Sequence, residues 1–331
     1  MLVPFLALSL NAFADDHKPD IKVSGILFAH YMYNLDEAAK SANSFDLDRA
    51  YLTVGADLND HLATKLTLDA DREKDSLDSA GDSVFADTKT RLFVKNAWLE
   101  WKKITPGVKA RFGVVDTGFV PFAEGFTGFR YVGKDVVDEM KIMSTADFGL
   151  NVQGEHAKGL VNWHVALING EGYSKPEIDS GKTVTGRIVV DPLAPGEKMN
   201  LPIAGYVGYA FPPEKGTAVL TYAGGVGFKQ KHIVVWGEYV GTSAGKVGSS
   251  AYSALISPRM PKYGAIIARY DHFDPDTTAS ATKDSTTKLV AGLSHDFYER
   301  VSVAGTYERS WLEGAEDKPA HAAVVHMQAG F

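Results

Sequence analysis

The sequence predicts an antiparallel β-barrel of the kind that spans an outer membrane, and three observations carry that prediction. Short segments alternate apolar and polar residues from Ile21 to Phe331, and no segment carries a helical stripe longer than a few turns. The connections between them are short and long in turn along the chain. The segments number about sixteen, an even count that lets an antiparallel sheet close on itself with both ends on one side. Composition agrees. The 331 residues are 45% hydrophobic and 23% charged, with a mean hydropathy of −0.12, and past the N-terminus nothing approaches the roughly 18 to 20 apolar residues of a spanning helix. A helical membrane bundle is excluded, while a barrel, whose strands are only half apolar, is not.

The N-terminal stretch MLVPFLALSLNAFA is apolar from Leu2 to Leu10 and ends in Ala12-Phe13-Ala14, the small-x-small pattern of a signal-peptidase site, before acidic residues begin. Residues 1–14 are therefore expected to be a signal peptide cleaved after Ala14. No Lys or Arg precedes Leu2, so the positive n-region is truncated. Residues 15–331 are expected to form one barrel domain, exported through the periplasm to a bacterial outer membrane. The chain has no cysteine, which excludes a disulfide framework, a thiolate zinc site and a cysteine nucleophile.

Strands are expected near 21–33, 45–58, 61–71, 91–102, 107–115, 145–156, 159–169, 183–191, 203–211, 217–228, 231–240, 250–258, 262–273, 286–297, 300–310 and 321–331. Tight turns fall at Asn59-Asp60, Lys103 to Pro106, Ala157-Lys158, Gln230, Arg259 to Pro261 and Tyr298-Glu299, with Pro192 to Pro202 a longer exception on that side. Long connections fall at Asn34 to Ser44, Arg72 to Thr90, Asp116 to Ser144, Gly170 to Lys182, Pro212 to Gly216, Gly241 to Ser249, Asp274 to Ser285 and Trp311 to Ala320. A two-sheet sandwich has no reason for this alternation. An outer-membrane barrel does, because its periplasmic ends are tight and its extracellular ends are long.

Within a strand the two faces separate by parity. In FDLDRAYLTVGADL, Ala50, Leu52, Val54 and Ala56 oppose Arg49, Tyr51, Thr53 and Asp57; in the next strand Leu66 and Leu68 oppose Lys65, Thr67 and Asp69. A Lys or Arg on the lipid face near mid-bilayer costs roughly 2–4 kcal/mol, so Arg49, Lys65, Lys109, Arg111, Arg187 and Arg269 are expected to face the lumen. Asp57, Asp69, Asp71, Glu100, Glu155, Glu238, Asp271 and Glu308 share that face, so the lumen carries both signs. RLFVK at 91–95 breaks the alternation and predicts a bulge. The last strand, HAAVVHMQAGF, places Phe331 on the apolar face, where it would close a row at the aromatic belt while the strand bonds to the first one. Phe331 is therefore the expected assembly residue.

The stretches FDLDRAYLTVGADL, VKARFGVVDTGFVPF, ALINGEG, GRIVVDPL and IARYDHF together resemble the phosphate-selective porin O/P family of Gram-negative outer-membrane channels. The resemblance implies a sixteen-stranded barrel, usually a homotrimer, inserted in outer-membrane lipid by the barrel-assembly machinery. It implies a porin, a passive channel for small hydrophilic solutes and ions, anions such as phosphate among them. It also implies a third extracellular loop folded into the lumen, which here is the longest connection, 116–144. In that loop Phe119, Phe122, Phe126 and Phe129 would pack on the wall, and Glu124 with Arg130 would set a transverse field or form a plain loop ion pair.

Two other classes stay open on the residues alone: a barrel hydrolase with an acid, His and nucleophile at its rim, and a non-conducting adhesin or structural barrel. His164, His232, His295 and His326 lack metal-ligand spacing, and DPDTTASATKD lacks the glycine turn and final glutamate of a calcium loop. No nucleotide or hydrolase fingerprint stands in a workable context, so no enzyme activity, cofactor or metal is expected. A net charge of −7 with scattered bases argues against nucleic acid.

Overall fold

The structure, a computed structural model, describes residues 18–36, 42–72, 76–77, 83–84, 90–177, 179–196, 198–213, 216–260, 262–278, 283–316 and 319–331. The predicted signal peptide, residues 1–14, lies outside the described residues.

Sixteen strands form one closed antiparallel barrel. They are β1 (Asp20–Asn34), β2 (Asn43–Asp57), β3 (Leu62–Arg72), β4 (Thr90–Thr105), β5 (Val108–Asp116), β6 (Ala146–His156), β7 (Val161–Ile168) and β8 (Lys182–Val190). The second half comprises β9 (Ile203–Phe211), β10 (Val219–Gln230), β11 (Ile233–Ala244), β12 (Val247–Met260), β13 (Gly264–Asp274), β14 (Thr286–Tyr298), β15 (Val301–Leu312) and β16 (Ala320–Gly330). Each strand pairs with its sequence neighbours, and β1 closes on β16 from Ile26↔Gly330 to Asn34↔Ala322. Closure removes the unpaired edge that hydrocarbon would not tolerate.

Polarity is inverted relative to a water-soluble protein. Leu52, Val54, Leu66, Phe112, Ile188, Val207, Ile266 and Leu293 are exposed on the outside, whereas Arg49, Asp69, Asn96, Glu100, Asn151, Glu238 and Asp271 are buried on the inside. The parity read from the sequence thus assigns the faces as the lipid argument required.

Four register shifts interrupt the ladder among the described residues, and one of them falls where the sequence alternation failed. In β3 and β4 the register steps from Thr67↔Asn96 to Leu68↔Val94, which leaves Lys95 as a bulge residue in the stretch where alternation failed. Gly241 to Ser249 is not a long connection. Strands β11 and β12 continue through it as a hairpin down to Ala244↔Val247, with Thr242 and Ser249 sharing a hydroxyl hydrogen bond of 2.6 Å. Glycine, serine and threonine give no polarity contrast, so this segment shows no alternation although its backbone pairs normally.

At the seam, the Gly25 N–H donates to the Phe331 carbonyl (3.2 Å) and the Phe331 N–H donates to the Gly25 carbonyl (3.0 Å). The Phe331 ring lies where a Gly25 side chain would stand: a Cβ there would meet ring atoms at 2.2 and 2.4 Å.

Candidate functional site

The segment between β5 and β6 turns into the barrel and carries two short helices, α1 (Phe119–Thr127) and α2 (Val136–Glu139). It begins at Gly118, whose φ of 103° suits glycine and where a Cβ would stand only 2.8 Å from the His164 ring. The Arg187 guanidinium donates to the Gly118 carbonyl at 2.8 Å, bonds Asn162 and lies over the Phe122 ring. Asp135 caps α2 by accepting from the Val137 N–H at 2.9 Å.

Apolar packing fixes the segment to one side of the inner wall. Phe119, Val120, Ala123, Val136 and Val137 pack with the inward Val189, Ala204, Trp236, Val240 and Ala251 of β8, β9, β11 and β12. Phe129, Tyr131 and Val132 pack with Phe28, Val234, Leu255, Ile267 and Val290. Each fully buried side chain of this size contributes roughly 1.5–3 kcal/mol, so the two pads outweigh any single ion pair in holding the segment. Lys229 adds a 2.8 Å hydrogen bond to the Phe126 carbonyl, and the Arg259 guanidinium lies 5.7 Å from the Phe129 ring centre.

Across the lumen, β2 to β5 present a polar wall. Arg49 bonds Asp69 at 3.0 Å and Asp71 at 3.1 Å. Arg111 bonds Glu100 at 2.7 Å and Asp116 at 2.8 Å and lies over the Trp98 ring, while Lys109 reaches Glu100 at 3.5 Å. Lys65 stands 6.0 Å from the Trp98 ring centre, with no carboxylate contact among the described residues. Lys95, which the sequence reading did not single out, donates to the Tyr51 hydroxyl at 3.1 Å and faces the rings of Tyr51 and Tyr173. Tyr173 enters from the connection after β7 and donates to Asp69 at 3.2 Å. This wall retains water access: the inward side chains of Lys109 and Asp116 keep 38% and 31% of their surface.

On the infolded segment Glu124 and Arg130 form an ion pair of 2.9 Å, and Arg130 lies over Phe28. Burial pushes the Glu124 carboxyl up, with Arg130 and Lys95 opposing the shift. Of the eight side chains singled out in the sequence, Arg49, Lys65, Lys109 and Arg111 gather on the polar wall and Glu124 and Arg130 on the segment. Arg187 and Arg269 instead sit beneath the segment: Arg269 bonds Asp271 at 2.8 Å and lines a small cavity with Glu124, Arg130 and Asp135. Parity places a residue inside the barrel, but the part of the wall that the segment covers is a long-range fact that parity does not contain.

No family model matches the chain, and no curated protein matches it. Solved structures do. The chain is similar to an anion-selective porin from Comamonas acidovorans, at 11% identity over 95% of this chain and 100% of the other, with a TM-score of 0.63. It is similar to OmpF of Salmonella typhi in complex with daunomycin, at 10% identity over 94% and 97% with a TM-score of 0.67. A high-pH structure of OprB from Pseudomonas putida matches at 9% identity over 94% of each chain, also at 0.67. The chain therefore has the porin fold, a closed sixteen-stranded outer-membrane barrel.

Proposed function

We propose that the protein is an outer-membrane porin, a water-filled channel for passive diffusion of small hydrophilic solutes and ions, with residues 117–145 as its constriction. The observation that carries this reading is the asymmetry of the lumen. Apolar residues of β8 to β15 are covered by the infolded segment, while the opposite wall of charged residues keeps partial exposure. Solute would pass between that wall and the segment, where pore width and fixed charge decide what crosses.

Charge at this gap supports a weak anion preference. Arg49 and Arg111 are each bonded to two carboxylates, whereas Lys65 and Lys95 have none among the described residues. The sequence resemblance to phosphate-selective porins O/P belongs to the same reading, although two uncompensated amines are few for strong selection of a hydrated anion. Cleavage after Ala14, insertion by the barrel-assembly machinery through the strand ending at Phe331, and trimerisation complete the proposal. Purified protein in a planar bilayer should give discrete conductance steps, and a salt gradient should reverse at a weakly anion-selective potential. Folded barrel without steps would sink the channel reading. Mass measurement of the mature chain should show Asp15 first.

A further inference from the structure

Two histidines meet at the seam where the barrel closes. His30 on β1 and His326 on β16 are direct partners in the register, with ring centres 6.3 Å apart. They stand near opposite ends of the chain, so no ligand spacing along the sequence reveals them as a pair. Each ring is held by a carboxylate from the neighbouring strand. His30 Nδ1 bonds the Asp48 carboxylate of β2 at 2.9 Å, and His326 Nε2 bonds the Glu308 carboxylate of β15 at 3.2 Å and the Thr306 hydroxyl at 3.0 Å. A carboxylate only accepts, so the ring nitrogen facing it carries the proton, and the lone pair of the neutral imidazole lies at the other nitrogen. That nitrogen is Nε2 in His30 and Nδ1 in His326, and this is how carboxylates orient metal-ligating histidines.

Asp48 reaches this wall through an irregularity. The register of β1 and β2 steps from Phe28↔Arg49 to Ala29↔Leu47, which leaves Asp48 as a bulge residue. In a regular strand it would point away from its neighbour Arg49, toward lipid, but the bulge turns it inward against His30. Asp46 is the register partner of His30 and so shares its face. Asp46, Asp48 and Glu308 thus flank the two rings, and Lys288 of β14, bonded to Glu308 at 2.9 Å, opposes them. Three carboxylates against one ammonium attract positive charge. The patch lies just beyond Phe28 toward the long connection after β1, and water reaches it: the His30 and Asp48 side chains keep 13% and 30% of their surface.

We propose that His30 and His326 bind a divalent transition-metal ion, such as Zn²⁺, in the lumen wall. A metal–nitrogen bond is about 2.0–2.1 Å, so one ion between two imidazoles sets their ring centres roughly 5 to 6.5 Å apart, a range that includes the observed separation. Among the described residues no three ligating side chains converge on one point, so two imidazoles are the protein's share and water completes the shell. Imidazole favours zinc, copper and nickel over calcium and magnesium, which take oxygen ligands. Asp48 and Glu308 are positioning residues that act through the rings. The bound ion adds two positive charges beside the polar wall and raises anion preference. That consequence rests on the channel reading above; the site itself does not.

Calorimetric titration of detergent-folded protein with Zn²⁺ reads the site without any need for conduction. The wild type should take up one equivalent that His30→Ala and His326→Ala each lose, while His232→Ala, on the exposed turn between β10 and β11, keeps it. If His326→Ala does not fold, His30→Ala carries the comparison. Asp48→Ala removes the carboxylate that orients His30 and should weaken this equivalent by about tenfold to hundredfold. In a planar bilayer, added Zn²⁺ should move the zero-current potential of the wild type toward anions and leave that of His326→Ala in place. A wild type that binds no more Zn²⁺ than the seam variants, or a His232→Ala that loses the same equivalent, overturns the proposal. Binding with no shift of potential in a conducting barrel refutes the effect on selectivity. Binding lost in the seam variants, in a barrel that conducts nothing, supports the site and refutes the channel.

Discussion

Lys95 offers the sharpest test of how fixed charge acts in this lumen, because it is projected by a bulge and held by tyrosines instead of a carboxylate. Lys95→Gln keeps a donor for the Tyr51 hydroxyl and removes one charge. An ion passing about 6 Å away gains or loses about 0.7 kcal/mol in a water-like dielectric. At about 0.15 M salt the screening length is about 8 Å, which cuts this by half to about 0.3 kcal/mol. Anions lose that stabilisation and cations gain it, so the anion-to-cation permeability ratio should fall about threefold, and about tenfold for Lys95→Glu. The assay is the zero-current potential across a bilayer under a salt gradient. In about 1 M salt the screening length is about 3 Å and the shift should nearly vanish. Glu316→Gln, an exposed change on the connection after β15, should move the potential less. A threefold effect that persists in high salt, or an equal shift from Glu316→Gln, would refute local control by the aperture.

Arg49→Ala leaves Asp69 buried without its cation and should destabilise the barrel by about 3 kcal/mol, read as a lower midpoint of denaturant unfolding. An unchanged midpoint would mean that the pair contributes nothing net. Removing Gly118 to Asp138 should raise single-channel conductance, and unchanged conductance in a folded barrel would place that segment outside the permeation path. Gly25→Val drives a side chain into the Phe331 ring and should reduce the yield of heat-modifiable folded barrel, as should deletion of Phe331. Full yield from Gly25→Val would show the ring free to turn away.

The barrel was legible because its cause is local. Parity along β2 and β3 states which side meets lipid, and the rhythm of turns states which end each strand came from. Where small residues replaced that contrast, at Gly241 to Ser249, the sequence showed a loop and the backbone made a hairpin. Disturbed alternation at 91–95 marked a bulge, yet nothing local says that Lys95 would end between Tyr51 and Tyr173, because Tyr173 arrives from a connection past β7. The same limit explains Arg187 and Arg269. Both face inward as parity requires, and Asp271 lies two residues along the same strand from Arg269, but the Gly118 carbonyl that Arg187 reaches depends on which strands the infolded segment lies against.

The seam at Gly25 bears on how such a barrel recognises that it has closed correctly. A slip of one residue between β1 and β16 would turn polar side chains to lipid and expose itself at once. A slip of two preserves every face, so polarity cannot detect it. The terminal ring can. In the observed register it occupies the one notch on its row without a Cβ, whereas a two-residue shift would set it on Val23 or Leu27. Gly25 and Phe331 would thus serve as a mechanical vernier, distinguishing the true closure from its nearest neighbour when the chemistry of the two faces is blind to the difference.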